Sequence, residues 1–201
     1  MQRIKVYSAE RNLVMKNVVE PIKNKKDIEA VEKYLSEKSI RNRLIFVFGI
    51  NSGLRVSDIL GLNIKDVKNK SYVEIKEKKT GKYKRFPLNK KLQRLINEYL
   101  PFREKQYSID EEEALFIGKK HKRLDRSQVY RFLNKACKDL GININVGTHS
   151  MRKSFGFHFY KQYNDVALLQ KILNHSAPII TLRYIGIEQD EIDTSYKGFE
   201  L

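Results

Sequence analysis

The sequence predicts a mainly α-helical domain carrying one small antiparallel β-sheet, an α+β arrangement. Three observations predict it. Most apolar residues recur at helical spacing, and one pair of short alternating segments flanks a Thr-Gly turn. No long linker divides the 201 residues, which hold only ten glycines and four prolines, and 41% hydrophobic content supports a core of that size.

Residues 1–25 are polar, basic and weakly patterned, and read as an N-terminal arm ahead of a domain spanning 26–201. From Asp27 onward, Ile28, Val31, Tyr34 and Leu35 share one helical face. A second, mostly apolar helix covers 41–50 and is stopped by Asn51-Ser52-Gly53. Ser57 and Asp58 open a short helix ending at Leu60. Tyr72-Val73-Glu74-Ile75-Lys76 alternates as a half-buried strand does, Thr80-Gly81 supplies the turn, and 83–88 returns, with Pro87 marking its end or an exposed edge. Helical periods then run over 90–100, 127–140, 148–162 and 166–173, broken by Pro101, Gly141, Gly147 and Pro178.

Charge narrows the partner. Forty Lys and Arg against 24 Asp and Glu leave a net +16, the balance expected of a protein that binds a polyanion, nucleic acid first. Residues 65–91 carry eleven basic side chains against three acids, and residues 119–138 carry eight against one. Such stretches supply salt-dependent phosphate contacts with little sequence information. Ser127, Gln128 and Arg131, at the start of their helix, are candidates to enter a groove, although a solvent-facing helix explains them equally. The lone cysteine, Cys137, excludes an internal disulfide and a multi-thiolate metal site, which fits the cytoplasm. No window approaches the roughly 20 apolar residues of a membrane span.

Four segments hold candidate chemistry. In Thr148-His149-Ser150-Met151-Arg152, Thr148 is a candidate N-cap, with His149 and Arg152 three apart on one face; a helix N-terminus plus a guanidinium makes an anion site. Alone, such a pair is more often a capping or surface arrangement than a site. Leu173-Asn174-His175-Ser176 is followed, nine residues after the histidine, by Tyr184, which alone reads as a half-buried core tyrosine, one of eleven. Arg55 stands at a helix junction in Gly53-Leu54-Arg55-Val56-Ser57-Asp58, where an ion pair with Asp58 is the plain alternative. Lys78-Lys79-Thr80-Gly81-Lys82 tips the hairpin, where lysines are most often solvated charge. There is neither a Gly-rich phosphate loop nor a carboxylate cluster suited to two magnesium ions, so no cofactor and no metal are expected. The acidic run 110–113 reads as a solvated loop.

Taken together and in order, these segments resemble the tyrosine recombinase, or phage integrase, family from about Asp27 to the C-terminus. The resemblance rests on Gly53-Leu54-Arg55-Val56-Ser57-Asp58, on Lys79 eight residues before Pro87-Leu88, on His149-x-x-Arg152, and on Leu173-x-His175 with Tyr184 nine residues on. It implies the family's catalytic-domain fold and an active site of Arg55, Lys79, His149, Arg152, His175 and Tyr184. In that reading Tyr184 attacks a DNA phosphodiester to give a 3′-phosphotyrosyl bond, and Arg55 and Arg152 stabilise the charge that builds on the phosphate. His149 accepts the tyrosine proton or orients the phosphate, His175 hydrogen-bonds the phosphate, and Lys79 protonates the leaving 5′ hydroxyl. One phosphoester replaces another, so no ATP is needed. The implied partners are double-stranded DNA and further copies of the chain, a tetramer in the family, joined through the C-terminal tail, whose Ile192, Tyr196, Phe199 and Leu201 are apolar among acids.

The chain departs from the family in one respect. Most relatives carry a helical clamp domain ahead of the catalytic one, whereas only 54 residues precede Arg55, so the expectation is an excised fragment or a relative that works without the clamp. The rival activities are a type IB topoisomerase, against which the compact Arg55-to-Tyr184 spacing and the Leu-x-His element count, and a silent DNA-binding accessory relative.

Overall fold

A computed structural model describes residues 18–106, 110–118, 121–187 and 196–200. Helix α1 (Lys25–Lys38) starts on Asn24, whose side chain accepts from the Lys26 N–H, and buries Val31 and Leu35. Helix α2 (Ile40–Ser52) is apolar through its middle, and Leu44, Ile45, Phe46, Val47 and Phe48 are all inaccessible, which makes it the central helix. It ends on Gly53 at φ 61°, a left-handed conformation that a glycine adopts without strain. The short helix α3 (Val56–Ile59) and a 3-10 turn (Ile64–Asp66) follow.

Strands β1 (Tyr72–Lys76) and β2 (Tyr83–Pro87) form a two-stranded antiparallel sheet, with Val73 opposite Phe86 and Ile75 opposite Lys84. Helix α4 (Lys90–Gln106) runs through Pro101, where the sequence predicts a break. A proline costs a helix one backbone hydrogen bond, but tertiary bonds hold the turns on either side. The Tyr99 hydroxyl donates to the Leu115 carbonyl, and the buried Arg103 donates to Glu113 and to the Ala114 carbonyl. The acids of 110–113 are likewise more than a solvated loop: Glu111 pairs with Lys68, Glu112 with Lys65 and Glu113 with Arg103.

Helix α5 (Arg126–Asp139) opens on a capping box between Asp125 and Gln128. Helices α6 (Ser150–Tyr163), α7 (Val166–Leu173) and α8 (Pro178–Ile185) complete the described fold. Pro178, expected only as a breaker, opens α8 in its first turn, where its missing N–H is no loss.

The apolar residues fall into two clusters. The larger gathers α1, α2, α4, α5 and the hairpin, and the smaller consists of Phe157, Leu169, Leu173 and Ile185 from α6, α7 and α8. Helix α6 joins them, since Met151 belongs to the first and Phe157 to the second. The helix bearing Tyr184 is therefore anchored by the smaller core. Residues 18–24, grouped above with the arm, lie against α6: Ile22 is 1% exposed, its N–H donates to Ser154 Oγ at 2.8 Å, and its carbonyl meets His158 Nε2 at 3.0 Å. Residues 1–17 of the proposed arm, and residues 188–195 and 201 of the tail, lie outside the described residues. Among the described residues no helix is long and apolar enough to cross a membrane.

Candidate active site

Gly53 places two groups at once. Its left-handed turn ends α2 so that the chain can swing through Leu54 to Arg55, and its carbonyl accepts from Arg152 Nη1 at 2.6 Å. The other arm of Arg152, Nη2, donates to the Leu173 carbonyl at 2.6 Å. Arg152 is 2% exposed, and these two carbonyls fix a guanidinium that still has further N–H groups to offer. The helix that carries Arg152 starts one residue later than Thr148 would set it. His149 occupies the cap position without a side-chain cap bond, and Ser150 Oγ accepts instead from the Gly147 N–H at 3.0 Å.

That position turns His149 toward α8. Its Nδ1 lies 3.2 Å from Tyr184 Oη. Burial first, then Arg152, Arg55, Lys153 and Lys79, lower the His149 pKa, so the ring is neutral at pH 7 and Nδ1 is able to accept the phenolic proton. Burial raises the Tyr184 pKa, while the positive charges of Arg152 and Arg55 oppose it. The nucleophile candidate thus stays protonated until a base acts. His175 stacks its ring edgewise on Tyr184 with centroids 4.9 Å apart, and its Nδ1 lies 3.0 Å from Thr181 Oγ1. Its pKa is pushed down to about 4 by burial, then by Arg152 and Arg55.

Arg55, Lys79 and His149 share the wall of a cleft of about 400 Å³ with Val56, Ser57, Lys78, Arg126 and Thr148. Four cations and two hydroxyls around one concavity suit a phosphate diester. Arg152, His175 and Tyr184 are not part of this wall; Tyr184 meets it through its 3.2 Å contact with His149. All six residues singled out in the sequence are therefore brought to one locality, five around Tyr184 and Arg55, with Lys79 exposed on the hairpin turn. Among the described residues no group of three or more His, Cys, Asp or Glu side chains gathers as a metal site.

The structure also places residues that sequence reasoning passed over. The ion pair expected between Arg55 and Asp58 is long, 4.0 Å, whereas Glu77 Oε2 lies 2.9 Å from Arg55 Nη1. Asp58 instead accepts the Lys78 N–H at 3.0 Å, tying the hairpin to α3. Lys84 donates to the Ile172 carbonyl at 2.9 Å, and burial, then Arg152, push its pKa down to about 8. One signal could have found it: alternation along β2 puts Lys84 on the same side as the buried Phe86. Lys153 sits with Nζ 5.1 Å from the Tyr184 ring centroid.

The sequence matches the model of the phage integrase family over residues 22–191. The chain belongs to that family. A probable integrase/recombinase, YoeC, of Bacillus subtilis (strain 168) is 42% identical over 184 residues, 91% of this chain and 98% of that protein. The tyrosine recombinase XerC of Thermodesulfovibrio yellowstonii is 30% identical over 154 residues, covering 74% of this chain and 50% of the relative. The crystal structure of XerA recombinase superposes with a TM-score of 0.74 at 22% identity, over 89% of this chain and 64% of that one. A lambda integrase dimer bound to a COC′ core site gives 0.64 at 18% identity, over 84% of this chain and 49% of that one. These structural likenesses establish the recombinase catalytic-domain fold. The chain spans nearly all of the first of these relatives and about half of the second.

Proposed function

We propose that this chain cuts and rejoins double-stranded DNA through a covalent bond to Tyr184, in the cytoplasm, using Arg55, Lys79, His149, Arg152, His175 and Tyr184. The observation that carries the reading is the 3.2 Å approach of Tyr184 Oη to the neutral His149 Nδ1, with both guanidinium groups close enough to act on the phenol's ionisation. His149 takes the phenolic proton as the tyrosine oxygen attacks phosphorus, the bond to the 5′ oxygen breaks, and Lys79 gives that oxygen a proton. Charge building on the non-bridging oxygens meets Arg55 and Arg152. His175, its ring held by the contact of Nδ1 with Thr181 Oγ1, presents its other ring nitrogen to the phosphate. A second 5′ hydroxyl reverses the steps and releases Tyr184.

Arg126 joins Lys78 and Lys79 in the cleft wall, and Ser127, Gln128 and Arg131 follow it along the exposed start of α5, which supports a DNA path across this end of the helix. Self-association on DNA through the tail is part of the same proposal, and the described Tyr196 and Phe199 are exposed, 77% and 67%. The test uses a nicked suicide duplex drawn from the chain's own locus. A denaturation-resistant protein–DNA adduct is expected with the native chain and not with Tyr184→Phe; an adduct that survives the substitution would overturn the assignment.

A further inference from the structure

Of the charged groups around the cleft, Glu77 is the most enclosed. Its side chain has no exposed area, although it directly follows the last residue of β1 and begins the hairpin turn. Three segments converge on it. Oε2 lies 2.9 Å from Arg55 Nη1 at the start of α3, accepts from Thr80 Oγ1 at 2.7 Å across the hairpin turn, and accepts from Asn174 Nδ2 at 3.0 Å at the end of α7. The Glu77 backbone N–H donates to Lys82 at 2.9 Å and its carbonyl receives the Gly81 N–H at 2.8 Å. The loop it grips through Asn174 is the one bearing His175.

A buried carboxylate is costly unless paired and hydrogen-bonded. Burial by itself would raise the Glu77 pKa, but the hydrogen bonds from Thr80 and Asn174 and the ion pair with Arg55 outweigh it and hold the group below its ordinary value. Glu77 is therefore ionised at neutral pH. Arg55 is itself mostly enclosed, with 13% of its side chain exposed. Without an anion close by, a guanidinium there would be drawn toward solvent. With Glu77 on one edge, its fork is held still and its other edge is left for the cleft. Lys84 reinforces the same joint, since its bond to Ile172 ties β2 to the end of α7.

We propose that Glu77 is the positioning residue of this active site: its carboxylate orients Arg55 and sets the hairpin bearing Lys79 in register with the loop bearing His175. It touches no reacting atom. The inference rests on the DNA-cleavage reading above, because the geometry it maintains is that of the phosphate clamp. Arg55 and Asn174 both reach the same carboxylate oxygen, so an aspartate, one methylene shorter, draws that oxygen back from both.

The experiment compares wild type, Glu77→Gln, Arg55→Lys and the double variant in the full chain, measuring adduct formation at saturating nicked duplex and duplex affinity separately. Glutamine keeps the shape and can still accept from Thr80 and Asn174 but carries no charge. The adduct rate should fall about 10- to 100-fold in Glu77→Gln, as expected for a clamp displaced by a fraction of an ångström. Duplex affinity should change less than about threefold, since Arg126, Lys78 and Lys79 still bind phosphate. In the Arg55→Lys background the same substitution should cost less than about twofold, because residues acting as one unit are not additive. Equal losses in both backgrounds, or a wild-type rate in Glu77→Gln, would overturn the proposal. An adduct in Tyr184→Phe would instead strike the cleavage reading. The pair is also tested without DNA, by the NMR signal of the Arg55 guanidinium: faster rotation is expected in Glu77→Gln, and unchanged rotation refutes the restraint.

Discussion

Gly156 sets how closely the nucleophile's helix packs on the helix of Arg152. A methyl carbon built at Gly156 would stand 2.6 Å from Ile185 Cγ2 and 3.4 Å from Leu173 Cδ1. Carbon atoms in contact settle at about 3.5–4.0 Å, so Gly156→Ala demands about 1 Å of retreat. Helix α6 is the fixed partner, held by Met151 in the main core and by the Ile22–Ser154 bond. Helix α8 must give, since only the smaller core holds it, and Ile185 is the residue after Tyr184. Overpacking of this kind costs about 1–3 kcal/mol, which lowers Tm by roughly 2–12 °C in a chain of this size. A 1 Å misplacement of a reacting group costs about 100-fold in rate. Gly156→Ala should therefore slow adduct formation on the nicked duplex about 100-fold, with duplex affinity unchanged because the cleft cations are untouched. Adding Ile185→Leu moves the branch one carbon outward and should restore most of the rate. A Gly156→Ala chain with wild-type rate and Tm would refute the claim that the α6–α8 contact sets the position of Tyr184.

Two further predictions concern charge. His175 has a folded pKa near 4 against an ordinary 6.5; a lowered value means the folded state favours the neutral ring, so its contribution to stability is complete above pH 6.5 and is lost as pH falls toward 4. In an NMR titration the His175 ring signal should stay flat from pH 8 to about 5, and a midpoint near 6.5 would show that burial and the two arginines do not act as described. Arg126 stands in the cleft wall beside Lys79, so Arg126→Ala should reduce the slope of log affinity against log salt by about one. An unchanged slope would remove Arg126 from the phosphate contacts.

How much was legible in the chain itself follows from the range of each signal. The helix over 41–50 and its stop at Gly53, the hairpin about Thr80-Gly81, and the helices of 127–140 and 166–173 were readable because local periodicity and turn chemistry act within a few residues. The six candidate site residues were readable as an ordered set of short motifs, and +16 pointed to a polyanion. The continuation of α4 through Pro101 was not readable, because bonds from Tyr99 and Arg103 to 113–115 outweigh a local breaking preference. Nor was the start of α8 at Pro178, since a proline that breaks a helix and one that begins it look alike in sequence.

The sequence by itself determined the residue types available for chemistry and the helices and hairpin that carry them, since these depend on neighbours along the chain. Tertiary structure alone decided which charges meet. Arg55 finds Glu77 in preference to the nearby Asp58, Arg152 is steered by two backbone carbonyls 99 and 21 residues away, and His149 meets Tyr184 across 35 residues. Ion pairs and hydrogen bonds act over a few ångströms of space without regard to sequence separation, so only the packed helices specify them.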